Sequence, residues 1–576
     1  MAEIDLAALI EKLHDIKPAT RTSLLPALHA AQEMYGYIPE EAAQAIARFL
    51  HVPLADIFGV IDFYALFYHK PVAGVVVHLC GDPACAMAGS DEMFKLIRKR
   101  TSAGHAEPLT SPAVVLERSP CLGLCEYAPA LEVQGTSGGH ADARTWKALV
   151  EGKGRRPATP VYREISLLTG NCGKGHTTRL KEYRENGGYS ALQKALQSSP
   201  EKVIDEIKSS GLVGRGGAAF PTGVKWEGAA KAEGDTRYVV CNGDEAEPGT
   251  FKDRVIMEDD PHRVLEGLII AGRAIEAGRG YIYIRGEYFY AYQMMAQAAA
   301  EAYQAGLLGR NIFGSGFDFD VEIRRGAGAY VCGEETALFE SIEGKRGFPR
   351  IKPPFPTTNG LFGKPTAINN VETLINVPLI IDKSATAYRA VGTQKSPGSK
   401  LFCVSGDIQR PGLYEVPFGI TIRHLLYDLA GGLRPGKQFQ AALFGGAAGS
   451  FAGEKDLDVR LSFEDLRAGG LILGSGVITV IDNTRDLADI LMRIGHFFAE
   501  ESCGKCFPCQ IGTQRQLEIL KRVAAHRPLP GDVERLIDLA HTMTDASLCG
   551  LGQTASSAIL SAIQKWPAMF SLAGDR

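Results

Sequence analysis

Eight of the twelve cysteines fall into two tight groups, and no other feature of the sequence restricts the fold as strongly. Near the C-terminus Cys503, Cys506 and Cys509 form C-x2-C-x2-C, and Cys549 follows in S-L-C-G-L-G. Three thiolates within seven residues plus a remote fourth is the arrangement of [4Fe–4S] ligation. Tetrahedral zinc normally takes its thiolates in pairs and suits this spacing less well. Upstream, Cys80 and Cys85 make C-x4-C, and Cys121 and Cys125 make C-x3-C. Four thiolates on two loops, each just after a strand, suit a [2Fe–2S] rhomb with two ligands per iron, and they equally suit structural zinc. Cys172, Cys241, Cys332 and Cys403 stand singly and read as packed residues.

Composition narrows the setting. A chain of 576 residues is too long for one core and predicts three to five domains. A net charge of −4 leaves no electrostatic footprint for nucleic acid. No apolar run reaches the length of a spanning helix, and the first residues lack a basic stretch followed by an apolar one. The expected location is the cytoplasm, with any membrane association made through partners, and there grouped thiols point to metal rather than disulfides.

Along the chain the pattern changes four times. Residues 1–70 show apolar residues at helical spacing and predict a helical bundle, ending in the aromatic run I-F-G-V-I-D-F-Y-A-L-F-Y as core or docking face. Residues 71–155 alternate short strands with one helix and carry the first cysteine group. The stretch from Gly135 to Pro160, rich in Gly, Lys, Arg and Pro, reads as a connector. A central unit spans 160–400. Residues 401–485 read as a small α+β unit with one helix at 422–430, and 486–576 are helical with the second cysteine group.

The central unit holds three glycine-rich segments: G-L-V-G-R-G-G-A-A-F-P-T-G-V-K-W (Gly211 to Trp226), C-N-G-D-E-A-E-P-G-T-F-K-D-R (Cys241 to Arg254) and G-A-G-A-Y-V-C-G-E-E-T-A-L (Gly326 to Leu338). Glycines that reach positive φ let bare amides approach a phosphate. The second segment follows a β-rich run, which sets its polar residues at a strand end, where open α/β sheets bind ligands. One such loop is usually a turn; three in one unit predict a nucleotide site.

From Tyr162 onward these motifs resemble the flavin-bearing subunit of respiratory complex I and its relatives, the NAD-linked hydrogenases and formate dehydrogenases. The N-terminal part is similar to the thioredoxin-like ferredoxin subunit that accompanies it, so the two read as fused. The resemblance implies a multidomain α/β fold: helical bundle and thioredoxin-like [2Fe–2S] domain, central FMN- and NADH-binding domain, ubiquitin-like (soluble-ligand-binding β-grasp) insert, and C-terminal helical [4Fe–4S] domain. It implies that Cys80, Cys85, Cys121 and Cys125 hold the [2Fe–2S] cluster. Gly214, Arg215, Gly216, Gly217 and Lys225 would lie against FMN and NADH, with Phe220 stacked on the dinucleotide. Asn242, Asp244 and Glu245 would line the flavin, and Gly326, Gly328, Tyr330, Gly333 and Glu334 would wall it. Glu247 and Glu335 would accept from dinucleotide hydroxyls and repel a 2′-phosphate, favouring NAD over NADP. Lys352 and Phe355 would close over the dinucleotide, and Asn369 with Asn370 would complete the phosphate site.

The activity so implied is hydride exchange between NAD(H) and FMN, with single electrons passed through both clusters to or from partner redox subunits. No acid–base residue is needed. Two departures from the family pattern stand out. Ala219 replaces a glycine common there, which predicts a negative φ or a narrower site, and Gly228 replaces a bulkier residue, which predicts weaker adenine stacking. Other classes remain open to the residues: a zinc-stabilised binding or scaffold protein, a stand-alone diaphorase, and an electron-bifurcating flavin subunit. The last often carries further C-terminal ferredoxin motifs that this sequence lacks.

Overall fold

The computed structural model of the chain describes residues 5–72, 74–102, 113–142, 144–154 and 156–571. Helices Leu6–Asp15, Leu24–Tyr35, Glu40–Leu50 and Leu54–Ile61 open it. Glu40–Leu50 shows why these segments are helical: Ala42, Ala43, Ile46 and Leu50 recur on one face and are buried. The aromatic run after the fourth helix is a docking face. Ala65 and Leu66 donate their amides to the carbonyls of Gly328 and Ala327 in the central unit, and the Tyr64 hydroxyl donates to Ser341 Oγ at 2.8 Å.

The next unit is a four-stranded sheet of β1 (Val75–Cys80), β2 (Val114–Ser119), β3 (Leu131–Val133) and β4 (Thr136–Gly138), in the order β2-β1-β3-β4. The first pair is parallel and the others antiparallel. Much of the expected connector belongs to this unit. β4 and the helix Thr145–Val150 lie inside it, because Trp146 and Leu149 are buried against Val75, Val77 and Leu79. Two apolar residues one turn apart outweigh the glycine-rich context. The short strand β5 (Val161–Arg163) comes next and pairs with the later α+β unit.

In the central unit β6 (Tyr238–Gly243), β7 (Arg279–Ile284), β8 (Asp320–Arg325) and β9 (Thr366–Asn370) form an all-parallel sheet in the order β8-β7-β6-β9. The chain steps outward from β6 to β7 to β8, then returns to lay β9 on the free side of β6. The direction reverses between β6 and β9, which opens a crevice at the carboxyl ends of those two strands. The helices Pro261–Ile275 and Val371–Lys383 cover the sheet with almost wholly buried faces.

The α+β unit is a mixed sheet of β10 (Ser399–Gly406), β11 (Gly412–Pro417), β12 (Phe439–Phe444), β13 (Ser450–Ala452) and β14 (Val477–Asp482), with β5 at its edge. The helix expected at 422–430 is a wide, π-type segment, His424–Leu429. Helices Leu487–Glu500, Phe507–Ala524, Asp532–Ala546, Gly550–Thr554 and Ser557–Lys565 close the chain. One continuous apolar cluster runs from Leu25 and Tyr64 through Val331 and Phe339 to Ile494 and Phe498, so the first, central and last units share a core.

Candidate functional site

The crevice between β6 and β9 is lined from three directions. The loop after Gly211 is pinned at its base, where Gly214 N–H donates to the Phe220 carbonyl at 2.9 Å and Val213 bridges Pro221. At its tip the amides of Gly216, Gly217, Ala218 and Ala219 meet no acceptor among the described residues. Gly216 presses on the end of β9, where a Cβ would meet Asn370 Cβ at 3.0 Å, and Gly217, at φ +129°, borders open space. Ala219 corrects the expectation of a negative φ: it sits at φ +53°, holding the left-handed geometry despite its methyl group. Four free amides in a glycine turn form a concavity suited to an anion.

At the end of β6, Asn242 Nδ2 donates to the Gly333 carbonyl at 2.9 Å, and Asn242 Oδ1 accepts from Asp244 N–H at 3.0 Å. Asp244 Oδ2 is buried with no partner among the described residues. Burial pushes this carboxyl well up, with Arg285 pulling against it. A buried oxygen left open in a crevice is an acceptor awaiting a donor. Gly333 lies directly above it, with no side chain to fill the space. Lys225 donates to the Ile368 carbonyl on β9 at 2.9 Å, and burial draws its ammonium below the usual lysine range. Lys352 bridges Glu334 and Glu335 at 2.7 Å each; burial opposes its charge but Glu334 and Glu335 outweigh it. Phe220 and Phe355 stay half exposed at the rim.

Several residues expected to face the ligand have their side chains committed elsewhere. The Arg215 guanidinium is buried over the Phe418 ring and donates to Tyr388 Oη and the Pro397 carbonyl, leaving only its main chain in the loop. Glu245 accepts from the amides of Asp253 and Arg254 and so caps the helix Lys252–Asp259. Glu247 accepts from Ala448 N–H and Ser475 Oγ across the boundary with the α+β unit, where burial lifts it to about 7. Asn369 Oδ1 holds the buried Trp226 indole at 2.8 Å, and Asn370 caps Val371–Lys383. Gly326 and Gly328 carry the N-terminal helices on one face, through His29 and Leu66. The Tyr330 ring lies tilted against Phe497 with centroids 5.0 Å apart, and its amide donates to Glu501.

The cysteines converge as grouped. Cys80, Cys85 and Cys125 line one cavity with Pro248 and Gly249, and Cys121 Sγ lies 3.4 Å from Cys125 Sγ. Cys80 ends β1, while Cys85 sits in the short helix Pro83–Met87 rather than a loop. Cys503, Cys506, Cys509 and Cys549 line a second cavity with Val331, Pro349, Leu548 and Leu551. Cys509 belongs to the helix Phe507–Ala524 and Cys549 precedes Gly550–Thr554. Burial pushes Cys509 to about 11 and Cys549 to about 12, so only a strongly cationic ligand makes thiolates of them at neutral pH. Among the described residues no group of three such donors is arranged for a single ion; an iron–sulfur cluster spreads its thiolates over several irons. Each cavity is lined in part by a residue close in sequence to one that borders the crevice. Val331 is two residues from Gly333, and Pro248 is four from Asp244.

Sequence reasoning missed the charged residues that bind these parts together. Lys252 is buried against Asp253 and Glu372, and Arg254 and Arg285 reach from the central unit to the carbonyls of Gly123 and Cys121. The signal was present: K-D-R closes the second glycine segment, and Arg285 directly follows an apolar strand at its carboxyl end.

Residues 207–379 match the family model described as Nuo51 FMN-binding domain, 9–153 the thioredoxin-like [2Fe-2S] ferredoxin, and 489–572 the NADH-ubiquinone oxidoreductase-F iron-sulfur binding region. The chain is 47% identical to the F 2 subunit of the NADH-quinone oxidoreductase of Rhizobium meliloti (strain 1021), over 71% of its own length and 97% of that relative. It is 46% identical to the HndC subunit of the NADP-reducing hydrogenase of Solidesulfovibrio fructosivorans, over 70% and 82%. Among solved structures it superposes on an NAD+-reducing [NiFe]-hydrogenase in the H2-reduced state with a TM-score of 0.82 and 31% identity, covering 96% of this chain and 92% of that one. With a curated relative matched over nearly its whole length and all three family models falling on the units that carry the crevice and the thiol cavities, the chain belongs to the family of NADH-quinone oxidoreductase F subunits, with a thioredoxin-like ferredoxin joined at its N-terminal side.

Proposed function

We propose that the β6–β9 crevice is where this chain exchanges a hydride between NAD(H) and FMN, and that the two cysteine cavities hold its electron-transfer clusters. The chain is an NADH dehydrogenase module with FMN, one [2Fe–2S] and one [4Fe–4S] cluster. Bound FMN supplies the step between two-electron and one-electron chemistry. The protein orients and insulates. The free amides of Gly216 to Ala219, and the helix beginning at Val371, offer donors to the flavin phosphate. Asp244 Oδ2 offers an unpaired acceptor among the described residues, and Lys225 sets a half-buried ammonium at the loop floor. Phe220 and Phe355 provide flat apolar surface at the rim for the dinucleotide, with the Glu335 carboxylate set against a 2′-phosphate. Cys80, Cys85, Cys121 and Cys125 serve the [2Fe–2S] cluster; Cys503, Cys506, Cys509 and Cys549 serve the [4Fe–4S] cluster.

The observation that carries this reading is the gathering of four cysteines at each of two places, beside Pro248 and Gly249 in one and Val331 in the other, all three from the unit that carries the glycine segments. An anaerobic visible spectrum before and after NADH, with iron and flavin counted on the same sample, tests it. About six irons and one FMN per chain, bleached by NADH, is the expected result. A colourless, zinc-loaded protein without flavin refutes it.

The partner supplies the other half-reaction. The likeness to one chain of the NAD+-reducing hydrogenase spans both halves of this protein, whereas the Rhizobium meliloti relative covers 71% of it. We therefore infer a complex of the NAD-linked hydrogenase or formate dehydrogenase type over a membrane-bound one. No helix among the described residues is long and apolar enough to cross a membrane, and any membrane contact is peripheral, through partners. Co-purification followed by hydrogen- or formate-dependent NAD+ reduction distinguishes the two; association with a quinone-reducing membrane complex instead overturns the choice.

A further inference from the structure

The loop Cys121–Cys125 is held by side chains of the central unit. Arg285, buried at the end of β7, donates from Nη2 to the Cys121 carbonyl at 2.7 Å and from Nη1 to the Glu245 carbonyl at 2.8 Å. Its counter-ion is Glu287 at 2.8 Å, and its guanidinium lies 5.0 Å from the Tyr288 ring centroid. Arg254 holds the same loop by a 2.8 Å bond from Nε to the Gly123 carbonyl. The two arginines differ in their surroundings. Arg254 is enclosed by Glu126 and Glu258, with Arg156 sharing the second carboxylate. Among the described residues Arg285 pairs with one carboxylate, Glu287, while one arm of its fork is bonded to the Cys121 carbonyl and the other to the Glu245 carbonyl, one residue past Asp244.

We propose that Arg285 is a positioning residue shared by two redox sites, which fixes the C-x3-C loop against the crevice and, as a buried cation bonded to that loop, raises the reduction potential of the [2Fe–2S] cluster. Reduction adds one negative charge to a cluster. A fixed cation in a low-dielectric interior stabilises the reduced form more than the oxidised one, and cluster potentials follow local charge, hydrogen bonding and exposure. The bonds from Arg285 to Cys121 and Glu245 are both to main-chain carbonyls, so the side chain sets geometry and field together. The inference rests on the assignment of Cys80, Cys85, Cys121 and Cys125 to that cluster.

The test is an EPR-monitored redox titration of the full chain as wild type, Arg285→Gln, Arg285→Lys and Glu287→Gln, with iron counted on each. Arg285→Gln should shift the oxidised-to-reduced ratio of the [2Fe–2S] signal at least tenfold toward oxidised at a fixed potential, which is 59 mV for a one-electron couple. Arg285→Lys should retain most of the wild-type midpoint. Glu287→Gln, which removes the opposing charge, should move it the other way. The [4Fe–4S] signal should stay within twofold in every variant. A [2Fe–2S] ratio changed less than twofold by Arg285→Gln, or equal shifts in the Gln and Lys variants, overturns the charge argument. Should Arg285→Gln lose two irons, Glu287→Gln decides, and an unmoved or lowered midpoint overturns the proposal. A wild type with about four irons and no [2Fe–2S] signal refutes the ligand assignment beneath it instead.

Discussion

Two buried ammonium groups share the carboxylate of Glu372, and replacing it by glutamine should loosen the floor of the crevice. Glu372 Oε2 accepts from Lys400 Nζ at 2.6 Å and lies 3.1 Å from Lys252 Nζ, while Oε1 accepts from Leu401 N–H at 3.1 Å. All three side chains are at most 1% exposed. Lys252 keeps Asp253 at 2.7 Å in the variant. Lys400 keeps the carbonyls of Leu401 and Ser475 and the Phe402 ring at 5.9 Å but no carboxylate within ion-pair distance among the described residues. Breaking one side of a buried pair costs about 3–5 kcal/mol. The low end applies here, because burial, with Glu372 opposing, already brings Lys400 down to about 8. Shedding that proton at pH 7 costs only about 1 kcal/mol, so the expected loss is about 3 kcal/mol.

The pH dependence carries a sign. The folded pKa of Lys400 lies below its unfolded value, so the stability linked to it is present above about 10.4 and lost as pH falls through 8. Without Glu372 the folded pKa drops further, and the deficit should shrink by about 1 kcal/mol between pH 7 and pH 9. Urea unfolding followed by flavin fluorescence on release should show a midpoint lowered by about 1 M at pH 7. Because Val371–Lys383 starts at the crevice, weaker FMN retention should accompany it. A loss below about 0.5 kcal/mol, or a deficit that grows toward pH 9, refutes the reasoning.

Four further outcomes follow from the geometry. Cys549→Ser should remove about four of about six irons and the [4Fe–4S] EPR signal, while NADH still bleaches the flavin; unchanged iron contradicts the ligand set. Glu335→Gln removes one of the two carboxylates paired with Lys352 and should lower the preference of kcat/KM for NADH over NADPH by about tenfold; an unchanged ratio places the discrimination elsewhere. Burial raises Glu247 to about 7, above its unfolded range, so the stability it contributes is complete below about 4.3 and lost as pH climbs through 7. Glu247→Gln should flatten the decline in melting temperature over that window, and a wild-type curve that rises there contradicts the burial argument. Ala219→Gly should relieve the left-handed alanine at φ +53° and stabilise the same urea transition by about 1 kcal/mol, whereas a destabilised variant contradicts it.

What was legible in the sequence was whatever spacing alone decides. Cys503, Cys506 and Cys509 must meet because seven residues cannot separate them far, and Asn242 must end a strand because a β-rich run precedes it. What escaped depends on contacts between distant segments. Arg215 lies among glycines and reads as a ligand group, but its guanidinium turns to Tyr388 and Pro397, 173 and 182 residues away. Arg285 carries no motif, and its place is fixed by a carbonyl 164 residues upstream. Glu245 looks like a flavin contact and Glu247 like an acceptor for dinucleotide hydroxyls until one sees which amides they satisfy. A carboxylate near a glycine loop binds a ligand or holds the loop's support in shape, and composition cannot choose between the two.

The same contacts explain why the two halves work as one body. The peptide link between them is short, yet the join does not depend on it. On one face the N-terminal helices reach Gly326, Ala327 and Gly328 through His29, Leu66 and Ala65. On another, the Arg254–Glu126 pair is buried on both sides, as is the bond from Arg285 to Cys121. Removing Arg254 with the halves docked strands Glu126 without that cation, and removing Arg285 leaves the Cys121 carbonyl without its donor; an unpaired buried charge is the costlier of the two. The cysteine loop is therefore complete only when the central unit is in place. The crevice wall is in turn complete only when the helices are docked.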